Sequence, residues 1–178
     1  IGLIKQYWRV TLFKESPANT PYSVFLLGLS ALFYVLLMVS QWLLADTEDH
    51  YHLGNSLLAA LGLLFSYGFY TYLLLSVYRV TNRTVQTLTC LLATHTIVHL
   101  FALPLLLIGP WIAQVQLPSL LGLLVGVIYL MTTLILTVWQ FMVTVHIYKH
   151  ALVIEYLAAI LASIGLLACN IFVASLWR

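Results

Sequence analysis

Four of the six histidines stand in pairs at helical i, i+4 spacing, His95 with His99 and His146 with His150. That spacing turns two imidazoles to one face of a helix, the arrangement a helix offers to a metal ion, a haem iron or a relayed proton. It serves adhesion equally well, because an imidazole lodged between helices makes polar bonds that hold them together. Thr94 and Thr96 add polar groups beside the first pair. The second pair flanks Tyr148 and Lys149, a composition suited to a headgroup or loop contact. His50 and His52 share a loop with Asp46, Glu48 and Asp49, which reads either as a solvated acidic loop or as a divalent-cation site. Glu155 and Asn170 are the remaining polar side chains read as intramembrane, with Glu155 one turn into its span and pairing with Lys149 or His150. No cofactor and no metal is expected; His95 and His99 are the candidates should a metal bind.

The elements that must position these residues are long apolar runs. Hydrophobic residues make up 63% of the 178-residue chain and charged ones 7%, far below the roughly 25% charge of a soluble domain. A spanning helix needs roughly 20 consecutive apolar residues, and punctuation by polar residues, Pro and Gly divides the chain into five such spans: 23–45, 56–78, 85–109, 119–147 and 152–177. The fold class is therefore all-α, one polytopic bundle over 1–178. The two histidine pairs fall at different depths, about 10 Å or more apart along the membrane normal, so a cofactor shared between them is not expected.

Ahead of the first span, Ile1, Ile4, Trp8 and Leu12 recur at helical spacing beside Lys5 and Arg9. Residues 1–16 thus read as an amphipathic helix on the membrane surface, ended by Ser16 and Pro17, or else as a cap on the bundle. The same charges break up any clean apolar core, so no cleaved signal peptide is expected there. Lys5, Arg9, Lys14, Arg79, Arg83 and Lys149 all fall on one side of a five-span chain and Arg178 alone on the other. Six cations against one predict a cytoplasmic N-terminus and an exterior C-terminus. The opposite side carries the acidic loop and the uncharged segment 110–118. Asn82-Arg83-Thr84 matches a glycosylation pattern, but this topology puts it in the cytoplasm.

Small residues mark close helix approach: Gly122 and Gly126 in the fourth span, and Ala158, Ala162, Gly165 and Cys169 along one face of the fifth. Cys90 and Cys169 read as packing residues. Tyr67, Tyr70, Tyr72 and Tyr78 with Phe65 and Phe69 make the second span aromatic, for packing and anchoring or for a quinone or lipid groove. Pro104 should kink the third span and free a carbonyl, with threonines one or two turns earlier as helpers. Seven cations are too sparse for a nucleic-acid surface. The chain has no Gly-rich phosphate loop, Cys-x-x-Cys, Gly-x-Ser-x-Gly or His-Glu-x-x-His, so no motif-defined enzyme class is supported.

The order of parts resembles the Yip (Ypt-interacting protein) family of five-span membrane proteins, including its bacterial members. A surface segment leads into the bundle, the third span runs into Phe101-Ala102-Leu103-Pro104-Leu105, and the fourth ends from Trp139 through Val145-His146 to Lys149-His150-Ala151-Leu152. The outer acidic loop and the midspan histidine pair depart from that pattern. The resemblance implies a non-enzymatic membrane scaffold or trafficking-like protein. The expectation is accordingly a non-catalytic structural, assembly or regulatory subunit of a complex in the bacterial inner membrane, with lipids and other membrane subunits or further copies of itself as partners. A transporter or channel component with a polar path at His95 and His99, and a haem- or metal-binding redox subunit, are the alternatives.

Overall fold

Apolar runs with no water to bond their backbone have to satisfy it internally, and helices do so within a single segment. The computed structural model describes residues 2–45, 53–114 and 119–177, and every regular element among them is helical. A short helix α1 (Gly2–Thr11) precedes five long ones: α2 (Val24–Ala45), α3 (Leu53–Val77), α4 (Thr84–Gln114), α5 (Ser119–Leu152) and α6 (Tyr156–Ser175). The five are long and apolar enough to cross a membrane, as an integral membrane protein requires. Ile1, the loop carrying Asp46, Glu48, Asp49, His50 and His52, residues 115–118 and Arg178 lie outside the described residues.

Within the helices, hydroxyls with no water to bond fold back on their own preceding turn. Thr89, Thr94, Thr96, Thr132 and Ser163 each donate to the carbonyl four residues earlier. Helix α2 packs on α3 and α4, α3 on α6, α6 on α5, and α5 on α4, so the five close into a ring ordered α2, α3, α6, α5, α4. The buried interior includes Tyr34, Tyr67, Leu91, Val143, Ile147 and Tyr148.

Three helices end on a non-glycine residue in the left-handed region: Phe13 (φ 60°) after α1, Arg79 (φ 58°) after α3 and Val153 (φ 56°) after α5. In each case the next amide reaches back five residues, Lys14 to Arg9, Val80 to Leu75 and Ile154 to Lys149, the bond that closes a Schellman cap. All three turns lie at the same end of the bundle, where side chains tie the connections together. The Arg83 guanidinium donates to the Ala151 carbonyl at 3.0 Å, the Gln86 amide to those of Ala18 and Thr20, and the Trp139 indole to that of Thr11 at 2.9 Å.

Several boundaries differ from the sequence reading. Helix α1 stops at Thr11 rather than near Ser16, because Phe13 turns the chain; Ser16 instead caps a 3-10 turn, Pro17–Asn19. Its buried face is Tyr7, Val10 and Thr11, whereas Ile4 of the expected apolar stripe is 73% exposed. The Tyr7 hydroxyl is buried without a hydrogen-bond partner, and burial, with a smaller contribution from the nearby Cys90, pushes its phenol up to about 12. Helix α4 continues through Pro104 to Gln114. Thr94 and Thr96 donate to Cys90 and Leu92, too early to help the Leu100 carbonyl freed by the proline; one residue before it, the His99 carbonyl accepts from the Gln41 amide of α2 at 2.9 Å. Helix α5 runs on to Leu152, with Lys149 and His150 at the negative end of its dipole.

At 31 and 34 residues, α4 and α5 are about 46 and 51 Å long at 1.5 Å per residue, against a hydrocarbon layer of about 30 Å. Their outer halves stay together, with Gly109 close to the Tyr129 ring. No residue in the most apolar stretch of α5 is buried.

Candidate functional site

Inside the ring, all five spanning helices contribute to one cavity of about 540 Å³. Tyr34 enters it from α2, Tyr67 from α3, His95 and His99 from α4, Gln140 and Thr144 from α5, and Asn170 from α6. Helical periodicity explains the grouping. His95 and His99 are one turn apart on α4, Gln140 and Thr144 one turn apart on α5, so two short polar ladders face each other.

The hydrogen bonds between them follow one consistent pattern of donors and acceptors. The Tyr67 hydroxyl lies 2.6 Å from His95 Nδ1, and the Gln140 amide nitrogen lies 3.1 Å from the same atom and 3.3 Å from His99 Nε2. An amide nitrogen only donates, so with the Gln140 amide in this orientation His95 Nδ1 and His99 Nε2 both accept. His95 therefore presents Nε2–H, which donates to Thr144 Oγ1 at 2.9 Å; the Thr144 hydroxyl in turn donates to the Gln140 backbone carbonyl at 3.0 Å. The chain of donors from Tyr67 through His95 and Thr144 ties α3, α4 and α5 together. Close by, Ser66 of α3 donates to Asn170 Oδ1 of α6 at 3.0 Å.

Of the residues singled out by sequence, His95, His99 and Asn170 come together here. Glu155 does not. It is the residue before α6, at the N-cap, with its side chain exposed. Neither expected partner reaches it: Lys149 sits 3.6 Å from the centre of the Tyr156 ring, and the His150 Nδ1–H donates to the His146 carbonyl. His146 spends its Nε2–H on the Glu15 carbonyl at 3.0 Å and packs edge-on against Phe13. The second pair thus anchors the N-terminal segment. Helix face more than depth separates it from the first pair, since His95 bonds Thr144, only two residues before His146.

Both ring nitrogens of His95 are engaged by protein groups. Among the described residues no group of three or more His, Cys, Asp and Glu converges on a point where a metal could sit. On α6, the face of Ala158, Ala162 and Gly165 receives Tyr70, whose hydroxyl donates to the Ala162 carbonyl at 2.7 Å. A Cβ at Gly165 would collide with that hydroxyl. Gly126, by contrast, has nothing within 4 Å of where a Cβ would stand.

Sequence reasoning passed over Gln41, Gln140, Tyr34 and Thr144. A signal was present: amide side chains are costly inside apolar runs and usually face protein or a cavity, and Gln41 and Gln140 stand in such runs. Compared with protein-family models, with curated proteins and with solved structures, the chain matches none.

Proposed function

We propose that this chain is a non-catalytic integral membrane subunit, Yip-like in kind, that serves a membrane complex in a structural, assembly or regulatory role. The observation that carries the reading is the outer half of α5. It presents an apolar surface that the rest of the chain leaves uncovered, from Leu120 (78% exposed) to Ile135 (66% exposed), and Gly126 lies open on it to close approach by another helix. The membrane is the bacterial inner membrane. Lys14, Arg79, Arg83 and Lys149 belong to the end knitted by the three turns, which supports a cytoplasmic N-terminus with α1 at that interface. Extraction in mild detergent tests the proposal: a stoichiometric partner or a defined oligomer is the expected result, weakened by Gly126→Leu. A stable lone monomer overturns it.

A second reading, a transport or channel path, is favoured by the cavity that His95 and His99 share. The polar groups cluster at one level, and Glu155 stands apart from them, so a binding step fits this arrangement better than a continuous path. Flux into proteoliposomes that is unchanged by His95→Ala and His99→Ala together would remove the transport reading.

A further inference from the structure

The cavity has a direction. Its polar wall carries His99, Gln140 and Asn170, half-buried in front of the buried His95 and Tyr67, while its rim includes Val138 of α5 and Leu167 and Ile171 of α6, residues that are also on the outer surface of the bundle. It therefore opens sideways between α5 and α6, toward hydrocarbon. Its volume of about 540 Å³ lies within the roughly 300–1,000 Å³ of small-molecule sites. No Asp, Glu, Lys or Arg is among the lining residues.

We propose that this cavity binds a neutral, membrane-dissolved molecule with a carbonyl head on a hydrocarbon tail, a chemistry shared by quinones and acylglycerols. A charged head would find no counter-ion in the lining and would bear the full cost of leaving water. The polar wall holds two amide N–H donors, Gln140 and Asn170, and a carbonyl is the acceptor that complements them. Gln140 is the group best placed to respond. Its amide nitrogen divides itself between two imidazoles at 3.1 and 3.3 Å, both longer than the usual 2.9–3.0 Å, so an incoming acceptor competes with two weak bonds. Ile164, Leu167 and Ile171, on the way out to the rim, supply apolar surface for the first part of a tail. The inference stands independently of the subunit proposal, since it requires no second protein.

The test uses the full chain in phosphatidylcholine nanodiscs and two probes, a ubiquinone with two isoprene units and dioctanoylglycerol, with saturable equilibrium binding and ligand-dependent thermal shift as readouts. One equivalent of at least one probe should bind per chain, and which probe binds identifies the source of the carbonyl. Affinity should fall tenfold or more in Gln140→Leu and in Leu167→Trp, which fills the entrance, and stay unchanged in Leu123→Trp on the remote half of α5. Leu167 is exposed and makes no hydrogen bond through its side chain, so that variant decides the matter if Gln140→Leu does not fold. Absence of saturable binding by both probes, or binding to Leu167→Trp equal to that of the unaltered chain, overturns the proposal.

Discussion

Tyr67 and His95 meet at 2.6 Å from hydroxyl to Nδ1, with their rings nearly perpendicular and 5.2 Å apart between centres. The contact locks α3 to α4 at the depth where the cavity is most polar. Interhelical hydrogen bonds in membranes average about 0.6 kcal/mol and reach about 1.7. A double-mutant cycle of Tyr67→Phe and His95→Leu, read by unfolding in mixed detergent, should return a coupling of about 0.5–1.5 kcal/mol. Additive effects would show that the two side chains stabilise independently.

Tyr7 presents the opposite case. Its hydroxyl is buried with no partner, and an unsatisfied buried group costs about 1–3 kcal/mol. Tyr7→Phe keeps the ring that packs α1 in place and removes that cost. Thermal unfolding should show the variant as stable as the unaltered chain or more stable, by up to about 1 kcal/mol; a clear loss would mean that the hydroxyl has a partner after all.

Val153 holds a β-branched side chain at φ 56°, a conformation that costs an L residue about 1–2 kcal/mol and that glycine adopts freely. Val153→Gly should therefore stabilise the α5 terminus. The gain, about 0.5–1 kcal/mol after the extra chain entropy of glycine, should appear as slower hydrogen exchange at the Ile154 amide, which bonds the Lys149 carbonyl.

Two glycines on neighbouring helices should respond differently to the same change. Gly165→Ala drives a methyl against the Tyr70 ring and its bond to Ala162, at a cost of about 1–3 kcal/mol, and Tyr70→Leu in the same chain should restore most of the loss. Gly126→Ala meets nothing and should stabilise its helix by up to about 1 kcal/mol. Unfolding of the four chains side by side checks both statements.

Much of the architecture was legible in the sequence because bilayer thickness and helix rise leave little freedom: a long apolar run has one stable form, and the five runs became five helices within a few residues. The boundary between α5 and α6 was misplaced because apolar residues there do the work usually left to polar ones. Val153 and Ile154 turn the chain between α5 and α6 with no glycine or proline to mark the break, which is why Glu155 seemed a turn inside a helix that starts only after it. His95 and His99 could be picked out because imidazoles in hydrocarbon are expensive. Gln140 carried the same signal, but which side chains would meet the histidines was not legible. That Gln140 and Thr144 would face them follows from α5 lying beside α4 and from the rotation of each helix, and neither quantity is written in a run of leucines and valines that is apolar on every side.

The ring places its two long helices next to each other and its three shorter ones, of 20 to 25 residues, around the rest of the circumference. One flank is then about 46–51 Å tall and the remainder about 30–38 Å. A bilayer of about 30 Å fits the short flank with little adjustment, while the tall flank must lean or draw the acyl chains around it into a thicker collar. Where it draws them out, the annulus of lipid becomes lopsided, with longer chains favoured beside α4 and α5 and ordinary ones elsewhere. A molecule of this shape has a front and a back in the plane of the membrane, and its front settles toward thicker bilayer or toward a neighbour whose own apolar height makes up the difference.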